Sequence, residues 1–233
     1  MTFEEYKVHE AKRLEINCKL MENGVSFVDI TSAYIDEKVS VGAGTLIGPC
    51  VTLEGETVIG KNCNIMQNTR IKDSFIGDNV EVQSSVIVES SVGDGTKVGP
   101  FAYMRPNSKV GKNCKVGDFV EIKNSSFGDG SKASHLTYIG DSDVGSDVNL
   151  GCGVVFVNYD GTNKYRSTVG NGAFIGCNSN LVSPVSVGEG AYVAAGSTVT
   201  EDIEDDTLYI ARVKEGTKKQ GWVSSKGILK KKK

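Results

Sequence analysis

Histidine is nearly missing from this chain: His9 and His135 are the only two among 233 residues, and His9 lies in a charged, helix-like stretch. A zinc centre built on three imidazoles is excluded by that count, and the expectation is a chemistry that holds no metal. The six cysteines (Cys18, Cys50, Cys63, Cys114, Cys152, Cys177) contain no CxxC pair. In the cytoplasmic setting expected here they read as reduced, small, half-buried residues. Neither sign of charge dominates, the net being −3, so there is no basic field to attract nucleic acid. No apolar run approaches the ~20 residues of a membrane span, and no signal peptide opens the chain. Nucleic acid and membrane are therefore not expected partners.

What the chain has in abundance is periodicity. From Val41 to Val199 an aliphatic residue returns every six positions, giving 27 rungs, of which fifteen are followed by glycine. A hexad is too short for a helix, and Val and Ile dominate the rungs, so each hexad reads as a short strand and a corner. Glycine after the rung suits a corner that needs either a positive φ or close backbone approach. A period this short means a solenoid, in which no segment has a buried face until its neighbours stack on it. The hexad resembles that of the hexapeptide-repeat proteins. The resemblance implies an all-β solenoid of triangular coils, three hexads each, wound as a left-handed parallel β-helix, although the general crossover rule favours the right hand. Strands ~4.8 Å apart would stack nine coils into a prism about 40 Å long.

Three segments follow from this: a helical arm over 1–24, the β-helix over 25–200, and an extension with a basic tail over 201–233. The arm has a capping box of Thr2 and Glu5 and a stop at Asn23-Gly24. Its apolar residues Phe3, Tyr6, Leu14, Cys18 and Met21 make a partial stripe, suited to packing or linking. The tail holds the single tryptophan, Trp222, and ends in Lys230–Lys233, read as solvated.

The breaks in the period locate a site. Spacing slips by one residue at 71–76, 122–127 and 139–144 and by two at 88–92, whereas 156–169 is seven residues too long. Residues 157–168 (VNYDGTNKYRST) must therefore leave the prism as a loop, a common carrier of function on a rigid scaffold. Where glycine usually follows the rung, Arg105 and Lys123 stand instead, one coil apart and hence stacked on one corner. Two adjacent cations repel; an anion between them relieves that, and phosphate is the natural partner of Arg with Lys. Neutralisation by Asp118 or Glu121 is the plainer alternative. His135 follows within a coil, with Glu121 as a candidate orienting carboxylate, and a neutral imidazole suits removal of a proton from an amine nucleophile.

The segments GPFAYMRPNS (99–108), VGDFVEIKNS (116–125), GSKASHLTYIGDSDVGSDVNLGCG (130–153) and NYDGTNKYRSTVG (158–170) closely resemble one family. It is the acetyltransferase domain of the bacterial bifunctional N-acetylglucosamine-1-phosphate uridylyltransferase / glucosamine-1-phosphate acetyltransferases. The likeness runs over residues 24–222. It implies transfer of acetyl from acetyl-CoA to the 2-amino group of glucosamine 1-phosphate, for the UDP-N-acetylglucosamine supply of cell-wall polymers, by a cytoplasmic homotrimer. By the same resemblance His135 is the general base and Glu121 its holder. Arg105, Lys123 and Lys164 take the sugar phosphate, and Tyr138 and Asn149 take the sugar. Cys152, Asn158, Tyr159, Cys177, Ala195 and Arg212 meet acetyl-CoA, with Asn158 polarising the thioester carbonyl. Cys152 and Cys177 depart from the family's more usual Ala and Ser, which weakens one hydroxyl contact. The Gly-rich segment and lysine of the nucleotide-binding half are not found in residues 1–40, so neither uridylyl transfer nor a need for magnesium is expected. Two other readings remain open at this point. One is an acyltransferase for another amino sugar or a sugar nucleotide; the other is a non-catalytic solenoid scaffold.

Overall fold

The structure is a computed structural model, and it describes residues 1–213 and 219–220. Trp222 and the lysines Lys230–Lys233 lie outside the described residues.

The period becomes three parallel sheets of eleven, ten and nine strands. Most strands are two residues long, one pointing in and one out, as with Val110 buried and Lys109 exposed in Lys109–Val110. Successive strands pass to successive sheets, so each pairs with the strand one coil before and one coil after. Glu121–Lys123 thus lies between Tyr103–Met104 and Tyr138–Gly140, with Ile122 opposite Met104 and Ile139. The inward rungs fill the prism: Ile47, Leu53, Ile65, Ile71, Ile76, Met104, Ile122, Ile139 and Ile175 are all shielded from solvent. Each such side chain stabilises the fold by about 1.5–3 kcal/mol relative to exposure. Small hydroxyls line the inside of the corners and satisfy carbonyls there. Thr137 Oγ1 donates to the His135 carbonyl (2.8 Å) and Ser125 Oγ to the Lys123 carbonyl (2.8 Å).

At one break the register differs from the hexad reading. Ile87, not Val88, is the buried rung, opposite Ile71 and Met104. All three residues of Val86-Ile87-Val88 are aliphatic, so pattern alone does not distinguish them. The two-residue slip becomes two one-residue slips, 82–87 and 87–92. Four of the five shortened sides (71–76, 87–92, 122–127, 139–144) run from the second sheet to the third. Each turns through a non-glycine residue in the left-handed region: Asp73, Glu89, Asn124 and Asp141, with φ of 46°, 44°, 47° and 49°. The glycines after the rungs serve the other purpose named above. A Cβ on Gly117 would lie 1.9 Å from the Ser134 carbonyl oxygen, and one on Gly151 would lie 2.6 Å from the Cys177 nitrogen. Close stacking requires them, and of the fifteen only Gly99 also has a positive φ, 103°.

The prism also extends beyond both limits of the hexad run. Ser26–Phe27 opens the first sheet, and Ile35 is a buried rung six residues before Val41. After Thr200, Ile203 bridges to Val187 and Leu208–Tyr209 pairs with Tyr192–Val193. A two-residue slip from Val199 to Ile203 hides these last rungs, although Ile203 to Tyr209 is again six.

The arm is the helix Phe3–Glu22, with Thr2 and Glu5 forming both bonds of the capping box. Its contact face is not the apolar stripe. Phe3, Tyr6, Cys18 and Met21 are exposed and Leu14 is half-buried, while Asn17 and Leu20 are buried. Asn17 Nδ2 donates to the carbonyls of Ile30 (2.9 Å) and Ala33 (3.2 Å), and the Arg13 guanidinium lies over the Tyr34 ring at 4.5 Å. Polar anchoring of first-coil carbonyls sets the docking. The cysteines are free but not uniformly half-buried: Cys63 and Cys114 are buried, Cys152 is half-buried, and Cys18, Cys50 and Cys177 are exposed. Burial raises the Cys63 and Cys114 thiols above the ordinary cysteine range, so they are inert packing groups.

Candidate active site

Two neighbouring corners carry the candidate residues. The first lies between the first and second sheets. Register places Asp118 opposite His135, and the same corner position in later coils holds Cys152, Cys177 and Ala195. The stacking is backbone-tight: Asn178 N donates to the Cys152 carbonyl and Gly196 N to the Cys177 carbonyl, both at 2.8 Å. His135, Cys152, Cys177 and Ala195 therefore form one row along the prism.

His135 Nδ1 meets the Asp118 carboxylate at 2.5 Å, which leaves Nε2 as the free ring nitrogen. The pairing holds the Asp118 carboxyl below its ordinary range. The carboxylate against His135 is thus Asp118 and not Glu121. The reason is register: Asp118 and His135 end paired strands, Lys115–Asp118 and Lys132–His135, at the same corner. Glu121 begins the next strand, and its Oε1 accepts from Arg105 Nη1 at 2.8 Å.

The second corner lies between the second and third sheets. Arg105 and Lys123 stack there as the spacing required, Arg105 N donating to the Ile122 carbonyl at 2.8 Å. Both have carboxylate partners, Glu121 for Arg105 and Asp141 for Lys123 (3.2 Å). Neutralisation is incomplete, however, because the expelled loop adds a third cation. Lys164 sits beside Lys123, which lowers the Lys164 pKa through direct contact and repulsion, with Arg105 adding to the effect. Burial works against the charge of Lys123, and its pairing with Asp141 favours it. Three cations against two carboxylates leave one positive charge on a corner open to solvent.

Asp141 was not legible as a site residue, yet it organises this corner. One oxygen accepts from Asn124 Nδ2 (2.6 Å); the other accepts from Lys123 Nζ (3.2 Å) and Asn158 Nδ2 (2.5 Å). Burial alone would raise its carboxyl; the donors Asn124, Lys123 and Asn158 overcome that and hold it below the usual range. This carboxylate with three donors had one sequence signal, the slip at 139–144 that turns Asp141 into the left-handed corner.

The loop itself is shorter than 157–168. Val155–Val157 and Ser167–Val169 are strands, so Asn158 to Arg166 leave the prism. They leave at the second corner, directly over Lys123. Asn158 is buried, and its amide nitrogen is committed to Asp141 and faces the Tyr138 hydroxyl at 3.4 Å. Donation from this amide to a thioester oxygen is not offered by that geometry; Asn158 anchors the loop. Tyr138 lies over Gly140, where a Cβ would stand 2.4 Å from its hydroxyl, so its ring covers the second sheet between the two corners.

Three expected residues lie apart. Asn149 projects from the first sheet in the column of Lys132 and Phe174. Tyr159 is exposed on the loop with its hydroxyl on the Gly161 carbonyl (2.6 Å), and Arg212 is exposed after the last strand. Among the described residues no three His, Cys, Asp or Glu side chains gather closely enough to hold a metal ion. No helix there is long and apolar enough to cross a membrane.

Comparison with known proteins agrees with the repeat. A family model for the bacterial transferase hexapeptide (six repeats) matches residues 89–124 and 166–201, and one for the GMPPB C-terminal domain matches 30–104. The "Bifunctional protein GlmU" of Clostridium botulinum (strain 657 / Type Ba4) is 54% identical over 219 residues, which is 94% of this chain and 48% of that protein. Its namesake in Clostridium beijerinckii is 52% identical over 224 residues, 96% of this chain and 49% of that one. The chain thus carries bacterial transferase hexapeptide repeats over residues 89–124 and 166–201. It spans about half the length of the curated relatives it matches, and the GlmU resemblance read from its motifs is confirmed by them. Among solved structures, the chain shares its fold with the UDP-N-acetylglucosamine acyltransferase of Bacteroides fragilis. The TM-score is 0.54 at 16% identity, over 77% of this chain and 69% of that one. The Arabidopsis enzyme of the same name scores 0.53 at 15% identity, over 77% and 70%. The fold class is the left-handed parallel β-helix.

Proposed function

We propose that this chain moves acetyl from acetyl-CoA to the 2-amino group of glucosamine 1-phosphate. The observation that carries the reading is the pairing of the two corners: a His–Asp pair on one, an incompletely neutralised Arg-Lys-Lys cluster on the other. The strand between them is three residues wide, about 10 Å, which a sugar ring and its phosphate span. With the phosphate on Arg105, Lys123 and Lys164, the C2 amine reaches the His135 edge.

The mechanism follows from the residues. The row Cys152, Cys177, Ala195 offers a narrow, small-residue ledge for the pantetheine arm of acetyl-CoA, ending at His135. Asp118 accepts from Nδ1–H and fixes the tautomer in which Nε2 carries the lone pair. As the amine nitrogen attacks the thioester carbonyl, Nε2 takes its proton; collapse of the tetrahedral adduct expels the CoA thiolate, which receives a proton in turn. The phosphate contacts supply orientation and are unchanged through the reaction, so their loss should act on KM. A homotrimer, with acetyl-CoA held between prisms, is part of this proposal.

Release of free CoA thiol from acetyl-CoA and glucosamine 1-phosphate tests it. The expected result is acceptor-dependent release, reduced at least about 10²-fold by His135→Ala. No release from the wild type would overturn the reading, and equal rates in the variant would remove His135 from it. Glucosamine without phosphate should be a far poorer acceptor; if it served equally well, the corner would not be a phosphate site.

A further inference from the structure

The loop is expelled at Asn158, and Arg166 brings the chain back. Its Nε and Nη2 donate to the two oxygens of Asp143, both at 2.5 Å; Nη1 donates to the Asn124 carbonyl (2.9 Å) and Nη2 to the Ser142 carbonyl (3.2 Å). One side chain thus grips three residues in the two preceding coils. The carboxylate contact is the planar two-point fork that arginine forms and lysine does not. Asp143 is itself steadied by Ser126 Oγ at 2.7 Å.

This grip connects with the cationic corner. The Asn124 residue whose carbonyl Arg166 holds gives its side-chain amide to Asp141, and Asp141 holds Lys123 and Asn158. Both feet of the loop are joined there: Tyr165 N donates to the Asn158 carbonyl (2.9 Å) and Ser167 N to the Asp141 carbonyl (3.3 Å). Above its feet the loop is a compact unit, with Asp160 accepting from Thr162 N, Asn163 N and the Tyr165 hydroxyl. Its orientation is therefore set at the base. Lys164, two residues before Arg166, is exposed and repelled by Lys123 and Arg105. Among its described neighbours Asp141 favours its charge, but Lys123 already occupies that carboxylate. A free loop would swing Lys164 outward to relieve the repulsion.

We propose that Arg166, locked onto Asp143, is a positioning residue that holds Lys164 over the cationic corner, so that affinity for the acceptor's phosphoryl group depends on a side chain that does not touch it. The inference rests on the phosphate reading of that corner. The test is a double-mutant cycle in the full chain. Arg166→Ala should raise KM for glucosamine 1-phosphate about ten-fold, leave kcat within about two-fold and leave KM for acetyl-CoA unchanged. Arg166→Lys should recover part of the loss. Lys164→Ala should raise the same KM, and the double variant should be no worse than Lys164→Ala alone, because the clasp acts through that lysine. Additive effects would overturn the proposal. So would equal losses for acceptor and donor, the mark of a structural role. Asp143→Asn, which keeps the side chain's size, supplies a second variant should Arg166→Ala not fold, with the same acceptor-only rise expected. Calorimetric binding of inorganic phosphate gives a readout free of catalysis. Weaker binding in Arg166→Ala supports the clasp even if the wild type transfers no acetyl; equal binding overturns the clasp while leaving the acetyltransferase reading intact. A wild type that binds no phosphate removes both corner and clasp.

Discussion

Asp118 and Glu121 stand three residues apart, and the prism gives them different work. Asp118 shares a corner with His135; Glu121 lies across the sheet on Arg105. Kinetics should separate them. Asp118→Asn is expected to lower kcat about ten-fold or more with KM little changed, since the imidazole loses its orienting acceptor. Glu121→Gln should instead act on KM for the phosphorylated acceptor; the reverse pattern would restore Glu121 as the partner of His135. Lys164 carries a pH signature. Its pKa lies below the ordinary lysine value because of Lys123 and Arg105, so its charge is lost as pH rises earlier than for an isolated lysine. Acceptor KM should therefore climb in the alkaline range before ordinary lysines titrate. Lys123→Met, which removes the main neighbour, should move that limb upward on a KM–pH profile. Much of this corner was legible: Arg105, Lys123 and the loop all violate the period. Asp141 was not, because a carboxylate in a Gly-Asp-Ser corner resembles the many solvent-facing corners of this chain, such as Gly77-Asp78 and Gly93-Asp94. Only the fold shows its buried side chain receiving three donors.

At the scale of a coil, stability is local. Each rung buries its side chain between two neighbours of the same sheet, as Ile139 does between Ile122 and the next coil. Ile139→Ala removes that packing under the site and should cost about 2–5 kcal/mol in unfolding free energy, measured by denaturant titration. A smaller loss would mean that adjacent coils close the gap. Buried Asp141 adds an acid-sensitive part. Because its folded pKa is depressed, its contribution is complete above the unfolded carboxylate pKa and is lost as pH falls through the folded one. The six-residue ruler read these coils well where aliphatic residues alternate with polar ones. It failed at Val86-Ile87-Val88, where three aliphatic residues are equivalent on paper, and beyond Val199, where a step of only four residues to Ile203 precedes the last rung, Tyr209.

For the whole molecule, the helix matters as much as the coils. Sequence placed it correctly from Thr2, Glu5 and Asn23-Gly24, and the apolar stripe gave the wrong contact face because Arg13, Asn17 and Leu20, which dock the helix, lie off that stripe. The first coil presents Ser26–Phe27, Tyr34–Ile35 and Ser40–Val41, each an end strand of its sheet. Asn17 occupies the Ile30 and Ala33 carbonyls at that end, and Arg13 reaches the carbonyls of Thr31 and Ala33. Without residues 1–23 the carbonyls of Ile30, Thr31 and Ala33 would lose these partners at the end of the prism, where an open edge is a template for another chain. Removing residues 1–23 should give species that grow with concentration in sedimentation, beyond those of the intact chain; unchanged sedimentation would deny the helix this role. A solenoid has no intrinsic length, since every coil can seat another. The N-terminal helix seats Arg13 and Asn17 on carbonyls of the first coil, at the end where a further coil would otherwise stack.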